Sequence, residues 1–456
     1  MSWLAHEWRL LTRSRWALGA LLLLLALSAV AVVSGLREVT RQQQTIAKLA
    51  DLEQQALAEQ QPKLARTGDA GSVAYYTFLS TSDEPASAAF MALGLRDTAP
   101  YVLRVRALAL QAQLHEGETF NPELALTGRF DFAFVLVYLA PLIVIALLYD
   151  LVSSERDAGR LATLVAMPGG HRLWLRRAAL RAVLAFGCLA LPVLIGGWVS
   201  GTPAGTCAIA LGVALAYVAF WSGLSLMVAV RGAGSVANAT ALMGCWVMLT
   251  LVLPSVAHAV LARTMPVGQG VELMLAQRQA VHGAWDLPPE DTMKRFFHTH
   301  PEWKDTAPLP AGFHWKWYYA FQQLGDESVA QQVAAYRQGL LARQRWTEWI
   351  GWCLPGVGVQ AVLHREARTD LLAQLAYQDA IAAFHARLRA HFYPYLFNDV
   401  RFEPQDFARL PRFEQTAGSV GQPLTLPLVL SVVGLAATLL GAHAAHRVTV
   451  ARDRLA

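Results

Sequence analysis

Six long apolar stretches punctuate the chain, and two long polar segments interrupt them. Roughly 20 predominantly apolar residues are needed to cross the roughly 30 Å hydrocarbon core of a bilayer. The first stretch covers residues 16–36, between Arg15 and Arg37, and the second covers 130–152, with Asp131 and Asp150 near its ends as interfacial charges. No charged residue stands between Arg181 and Arg231. That interval is too long for one crossing, and Ser200-Gly201-Thr202-Pro203 divides it at a tight turn into 178–200 and 204–230. Residues 237–261 and 423–446 supply the last two stretches. The pattern predicts an all-α polytopic membrane protein with six transmembrane helices.

The polar segments, 37–129 and 262–422, read as two mainly helical extracytoplasmic domains after spans one and five. "REVTRQQQTIAKLADLEQQALAEQQPKLA" is rich in good helix formers, so the first span is expected to continue outward as a helix. In the second segment, "ESVAQQVAAYRQGLLARQRWTEWIGW" and "RTDLLAQLAYQDAIAAFHARLRAHFY" predict two long amphipathic helices around the breaker Leu354-Pro355-Gly356. Trp346, Trp349 and Trp352 recur every third residue, and with Tyr318, Tyr319 and Phe321 they are expected in the core of that domain. The rival placement is the membrane–water interface, where aromatic rings are enriched.

Charge fixes the expected orientation. Arg9, Arg13 and Arg15 precede the first span; Arg156, Arg160, Arg172, Arg176 and Arg177 follow the second; Arg231 lies between the fourth and fifth; Arg447, Arg452 and Arg454 follow the sixth. Positively charged residues favour the cytoplasmic side, which puts 1–15, 153–177 and 447–456 inside, with both termini in. The first span reads as an uncleaved anchor, because its apolar run is longer than a signal-peptide core. Composition agrees: 55% of the residues are hydrophobic and only 16% charged, and the net charge of +5 comes with no Lys/Arg stripe to suggest nucleic acid. Three of the four cysteines lie in apolar runs and Cys353 stands alone, so no disulfide framework or CxxC pair can be drawn.

The charged interruption "YDLVSSERDAGRLATLVAMPGGHR", Tyr149 to Arg172, is the main expected cytoplasmic loop. Leu161, Leu164, Val165 and Pro168 follow the spacing of a helix with one apolar face. Such a helix suits a bilayer surface or a groove on a partner. "SSERDAGRLATLVAMPGGHRLWLRRAALR" resembles the signature of the type 2 ABC exporter permeases, the ABC-2 family, at Ser153, Glu155, Arg156, Gly159, Leu161, Leu164 and Pro168. Asp157 stands where that family usually has Glu, Arg160 replaces a Thr and Thr163 a Leu. "GRFDFAFVLVYLAPLIVIALLYDL" and "FHWKWYYAFQQLGDE" extend the resemblance to the subgroup related to the NosY and GldF permeases.

The resemblance implies a permease subunit in a bacterial inner membrane. Its loop would form a coupling helix docking on a separate ABC ATP-binding subunit, with ATP and Mg on that partner and no cofactor on this chain. It also implies a second permease, identical or related, contact with membrane lipids, and room for a periplasmic partner. Two other readings stand beside it: a membrane-anchored sensor with periplasmic ligand-binding domains, and a NosY-like component of a metal-cofactor maturation system. The sequence itself carries no G-x-x-x-x-G-K-[ST] phosphate loop, HExxH or GxSxG. His298 and His300 in "FFHTHPEW" are spaced to chelate a metal on an extended segment, although surface or capping roles are the plainer expectation. Gly196, Gly197, Gly201, Gly205, Gly212, Gly232 and Gly234 are candidates for close helix packing.

Overall fold

The computed structural model describes residues 3–115, 130–167, 172–231, 234–268, 270–414 and 425–453. In chain order the elements are α1 (Trp3–Arg13), α2 (Arg15–Thr67), α3 (Ala70–Tyr76), β1 (Leu79–Ser82), β2 (Val102–Val105), α4 (Leu110–His115), α5 (132–148), α6 (Ser153–Asp157) and α7 (Leu161–Ala166). They continue with α8 (Leu173–Ser200), α9 (Ala204–Ala229), α10 (Ser235–Thr264), α11 (Gly270–Trp285), α12 (Pro289–Thr299), α13 (Trp315–Ser328), α14 (Ala330–Cys353), α15 (Pro355–Glu366), α16 (Leu371–Phe397) and α17 (Thr425–Asp453). The protein is almost wholly helical; among the described residues, β1 and β2 form one antiparallel hairpin pairing Leu79 with Val105 and Ser82 with Val102. Among the described residues, six helical stretches are long and apolar enough to cross a membrane, one from each apolar run of the sequence.

α9 is the axis of the apolar bundle, and α5, α8, α15 and α17 all pack on it. Its approach to α17 is set by glycine: a Cβ on Gly223 would overlap the backbone of Ala437, and one on Gly441 would press on Gly223. The closest backbone contacts therefore fall outside the glycines singled out by sequence. Of those, Gly196 and Gly197 meet neighbours, Gly201, Gly205, Gly212 and Gly234 face open space, and Gly232 lies outside the described residues. α5 carries a π-helical turn over Val135–Leu139, just before Pro141. Proline has no N–H, so the Val137 carbonyl loses its helical donor. The Tyr217 hydroxyl of α9 replaces it at 3.1 Å. α10 is the least integrated member, burying only Asn238, Leu242 and Thr250.

One end of the bundle carries a large body. α2 reaches it as a single 53-residue helix, about 80 Å at 1.5 Å per residue, which is the expected outward continuation of the first span. The two polar segments do not build two separate domains. Val73, Leu79 and Leu108 from the first share a core with Phe296, Tyr319, Phe384 and Phe397 from the second. The second segment supplies most of that interior, and the first completes it with Ala70, Val73, Ala74, Leu79, Ala107 and Leu108. The first segment also seals the bundle mouth, where Phe90 is fully buried between Gly35 of α2 and Gly196 of α8. Asp131, read from sequence as an interfacial charge, is buried there; it caps α5 through Phe134 N at 2.9 Å and accepts from Leu93 N at 2.9 Å.

The body returns into the bundle at α14 and α15. Leu354 is extended and Pro355 opens α15, so the breaker produces a tight helical hairpin. The hairpin closes on Gly351 and Gly358, whose backbones touch. Gly356, at its tip, rests near the Tyr217 hydroxyl halfway along α9, while Glu366, at its far end, lies beside Thr206 in the first turn of α9. The tip thus penetrates the bundle by about 17 Å, the rise of the 11 residues between those two α9 positions. This overturns the expected placement of the tryptophan stripe. Trp346 and Trp349 are 53% and 56% exposed on the hairpin flank, and Trp352 packs against the bundle core rather than the body core.

Candidate functional site

At the opposite end of the bundle, residues 153–167 fold as two short helices instead of one. α6 ends at Asp157, and Gly159 takes the left-handed conformation, φ +69°, that lets the chain turn into α7. Glu155 is the hub. Its carboxylate accepts from Arg177 Nη1 of α8 at 3.0 Å and from Arg160 Nε at 2.7 Å. Arg177 also donates from Nε to Glu7 of α1 at 3.1 Å and lies over the ring of fully buried Trp174, 5.5 Å from its centroid. The side chains of Glu7, Glu155 and Arg177 are each 15% exposed or less, so the pairings are shielded from water and outweigh an ordinary surface salt bridge.

Further bonds tie the segment to other helices. The Ser153 and Ser235 hydroxyls meet at 2.8 Å, joining α6 to the start of α10. Asn238 Nδ2 donates to the Tyr149 carbonyl at 3.2 Å, and Arg181 Nη1 donates to the Leu147 carbonyl. Through these bonds α6 is linked to α8, α1 and α10. A cleft of about 110 Å³ opens beside this network, lined by Glu7, Leu10, Leu11, Glu155, Arg177 and Arg181.

The residues singled out by sequence divide into three groups. Ser153 and Glu155 belong to the network. Leu161 is buried in the bundle core, with Leu164 and Val165 packed against it, so this apolar face is used internally and offers a partner little contact. Asp157 and Gly159 face solvent, Arg156 is half-buried, and Pro168 lies outside the described residues. The outward surface consists of Asp157, Arg160, Ala162, Thr163, Ala166 and Met167, the last 53% exposed. Sequence reasoning missed Glu7 and Ser235. The signal for Glu7 was present, because it is the one acid in the otherwise basic amphipathic leader "WLAHEWRLLTR".

The body holds a second cluster of buried charge. Asp326 accepts from Leu110 N at 2.8 Å, Gln111 N at 3.2 Å and Arg389 Nη2 at 3.0 Å, which ties α4, α13 and α16 together. Burial holds the Asp326 carboxyl above its usual range, against the pull of Arg389. His385, its ring bonded to the Leu108 carbonyl, is pushed down to about 3 by burial and stays neutral. A cavity of about 470 Å³ borders this cluster, with His300, Trp303 and Tyr393 on its wall. His298 and His300 do not converge: His298 lies in the last turn of α12, and His300 is the non-helical residue that ends it. His298 is exposed, whereas His300 stacks on Phe296 and bonds Thr299 and Gln323. Among the described residues, no three His, Cys, Asp or Glu side chains are placed to hold a metal.

Residues 271–416 match a protein family described as a domain of unknown function, DUF3526. The match covers α11 to α16, including the hairpin and the Asp326–Arg389 pair. No curated protein and no solved structure matches the chain.

Proposed function

We propose that this protein is the membrane-embedded permease subunit of an ATP-driven exporter of the ABC-2 type. In this reading six helices cross a bacterial inner membrane, both termini and residues 153–167 are cytoplasmic, and the body is periplasmic. A separate ATPase, carrying ATP and Mg, docks on the outward surface of α6 and α7. Two permease copies, identical or related, complete the complex, and hydrolysis drives export or mechanical work on a periplasmic partner. The single supporting observation is the Glu155–Arg177–Glu7 chain, which connects a solvent-facing segment to α8 and α1 through shielded ion pairs. Rigid-body motion of a docked partner needs such a linkage to reach the bundle.

Co-purification with a candidate ABC ATPase tests this reading. Asp157→Lys and Met167→Asp, both on the outward surface, are expected to weaken association by about tenfold or more, the size of one unfavourable charged contact. Glu155→Gln is expected to keep association, lower stability by about 2 kcal/mol, and uncouple ATPase stimulation from the permease. Unchanged association in both surface variants would remove the docking role. Ligand binding by the body without any ATPase partner would instead favour a sensor.

A further inference from the structure

A deep apolar groove separates α10 from α14, on the flank of the hairpin. α10 contributes Leu253, Val256 and Ala257, while α14 contributes Trp346, Trp349 and Ile350. Its volume is about 890 Å³, in the range of small-molecule sites. The groove runs along the helices, from Met265 and Arg345 at the body end to Leu253 and Leu354 at the hairpin tip. Those 12 residues of α10 correspond to about 18 Å. Arg343 fixes the width at the top by donating twice to the Met265 carbonyl, at 2.9 and 2.7 Å.

Charge identifies the occupant. Arg345 is the one ionic side chain of the lining, is exposed, and has no acidic or carbonyl partner among the described residues. It sits at the end of the groove nearest the body, where a bilayer leaflet would present its headgroups. Below it the walls are hydrocarbon and indole, which a water column fills poorly and an acyl chain fills well.

We propose that the α10–α14 groove binds one anionic phospholipid from the leaflet adjoining the body, its phosphate at Arg345 and an acyl chain against Trp346 and Trp349. This rests on the membrane embedding of α10 and the hairpin, and not on the ATPase partner. A lipid held there would fill the space beside the least integrated helix and couple its position to the hairpin.

The test uses the full chain, purified in detergent and titrated with phosphatidylglycerol or phosphatidylcholine, with retained lipid counted by native mass spectrometry. Phosphatidylglycerol should be retained about fivefold better, the equivalent of one cation meeting an anionic headgroup. Arg345→Gln should erase that preference while leaving phosphatidylcholine retention unchanged. Ala257→Trp should fill the groove and abolish retention of both. Equal retention of the two lipids by the wild-type chain overturns the proposal, as does an unchanged preference in the Arg345 variant. Loss of a dimer in the Ala257 variant with lipid retention intact assigns the groove to a second copy and also overturns it. Extraction of the chain from membranes by alkaline carbonate would fail the embedding itself, which distinguishes that failure from the absence of lipid preference.

Discussion

The bundle and the body of this protein solve the same packing problem with different chemistry. In the bundle, the α9–α17 contact depends on Gly223 and Gly441, and the Tyr217 hydroxyl serves the carbonyl that Pro141 leaves without a donor. In the body, the core is aromatic and cross-linked by buried charge. Phe296 and Phe397 stack at 5.1 Å, Lys316 pairs with Asp399 at 2.6 Å, and Asp326 gathers three donors. Apolar helices in a lipid environment gain little from hiding apolar surface, so close fit decides how they associate. The body faces water, where burying rings is favourable and irregular connections need polar partners. The hairpin belongs to both regions, since its sequence continues the body but its tip packs as part of the bundle.

The comparison can be broken at its strongest point by Asp326→Ala. That change leaves Arg389 buried without its carboxylate and is expected to cost about 3–5 kcal/mol, seen as early unfolding of the body by hydrogen exchange. The bundle should respond to bulk more than to charge. Gly223→Leu is expected to cost about 1–3 kcal/mol or more in thermal unfolding, because the obstacle is the α17 backbone. The third test is acid. His385 is depressed to about 3 from an unfolded value near 6.5, so its neutral form stabilises the fold above 6.5. Below that pH the unfolded chain takes up the proton first, and body stability should fall by about 1.4 kcal/mol per pH unit. Asp326, held above 3.8, acts with opposite sign at the acid end, where the folded state protonates first and softens the loss. The smallest effect is expected from Trp349→Ala, whose exposed ring should change stability by less than about 0.5 kcal/mol.

Much of the architecture was legible along the chain. Apolar runs of sufficient length gave six helices, and the Gly-Pro turn at 201–203 and the breaker at 354–356 fell where helices end. The loop was less transparent. Its periodicity showed that Leu161, Leu164 and Val165 share a face, but periodicity reports a face without saying what covers it. Here the subunit's own core does. The tryptophan stripe failed for the same reason, since spacing placed three rings on one side of α14 and gave no sign that α14 enters the bundle.

The sequence by itself determined which segments are helical, which are apolar enough for a membrane, and where the chain turns, because those properties depend on neighbouring residues. Only the tertiary structure decided that two polar segments share one core, that Glu155 reaches Arg177 and through it Glu7, and that Arg345, with no partner among the described residues, stands over an apolar groove. Each of these joins residues far apart in the chain, and the spacing of residues carries no information about such distances.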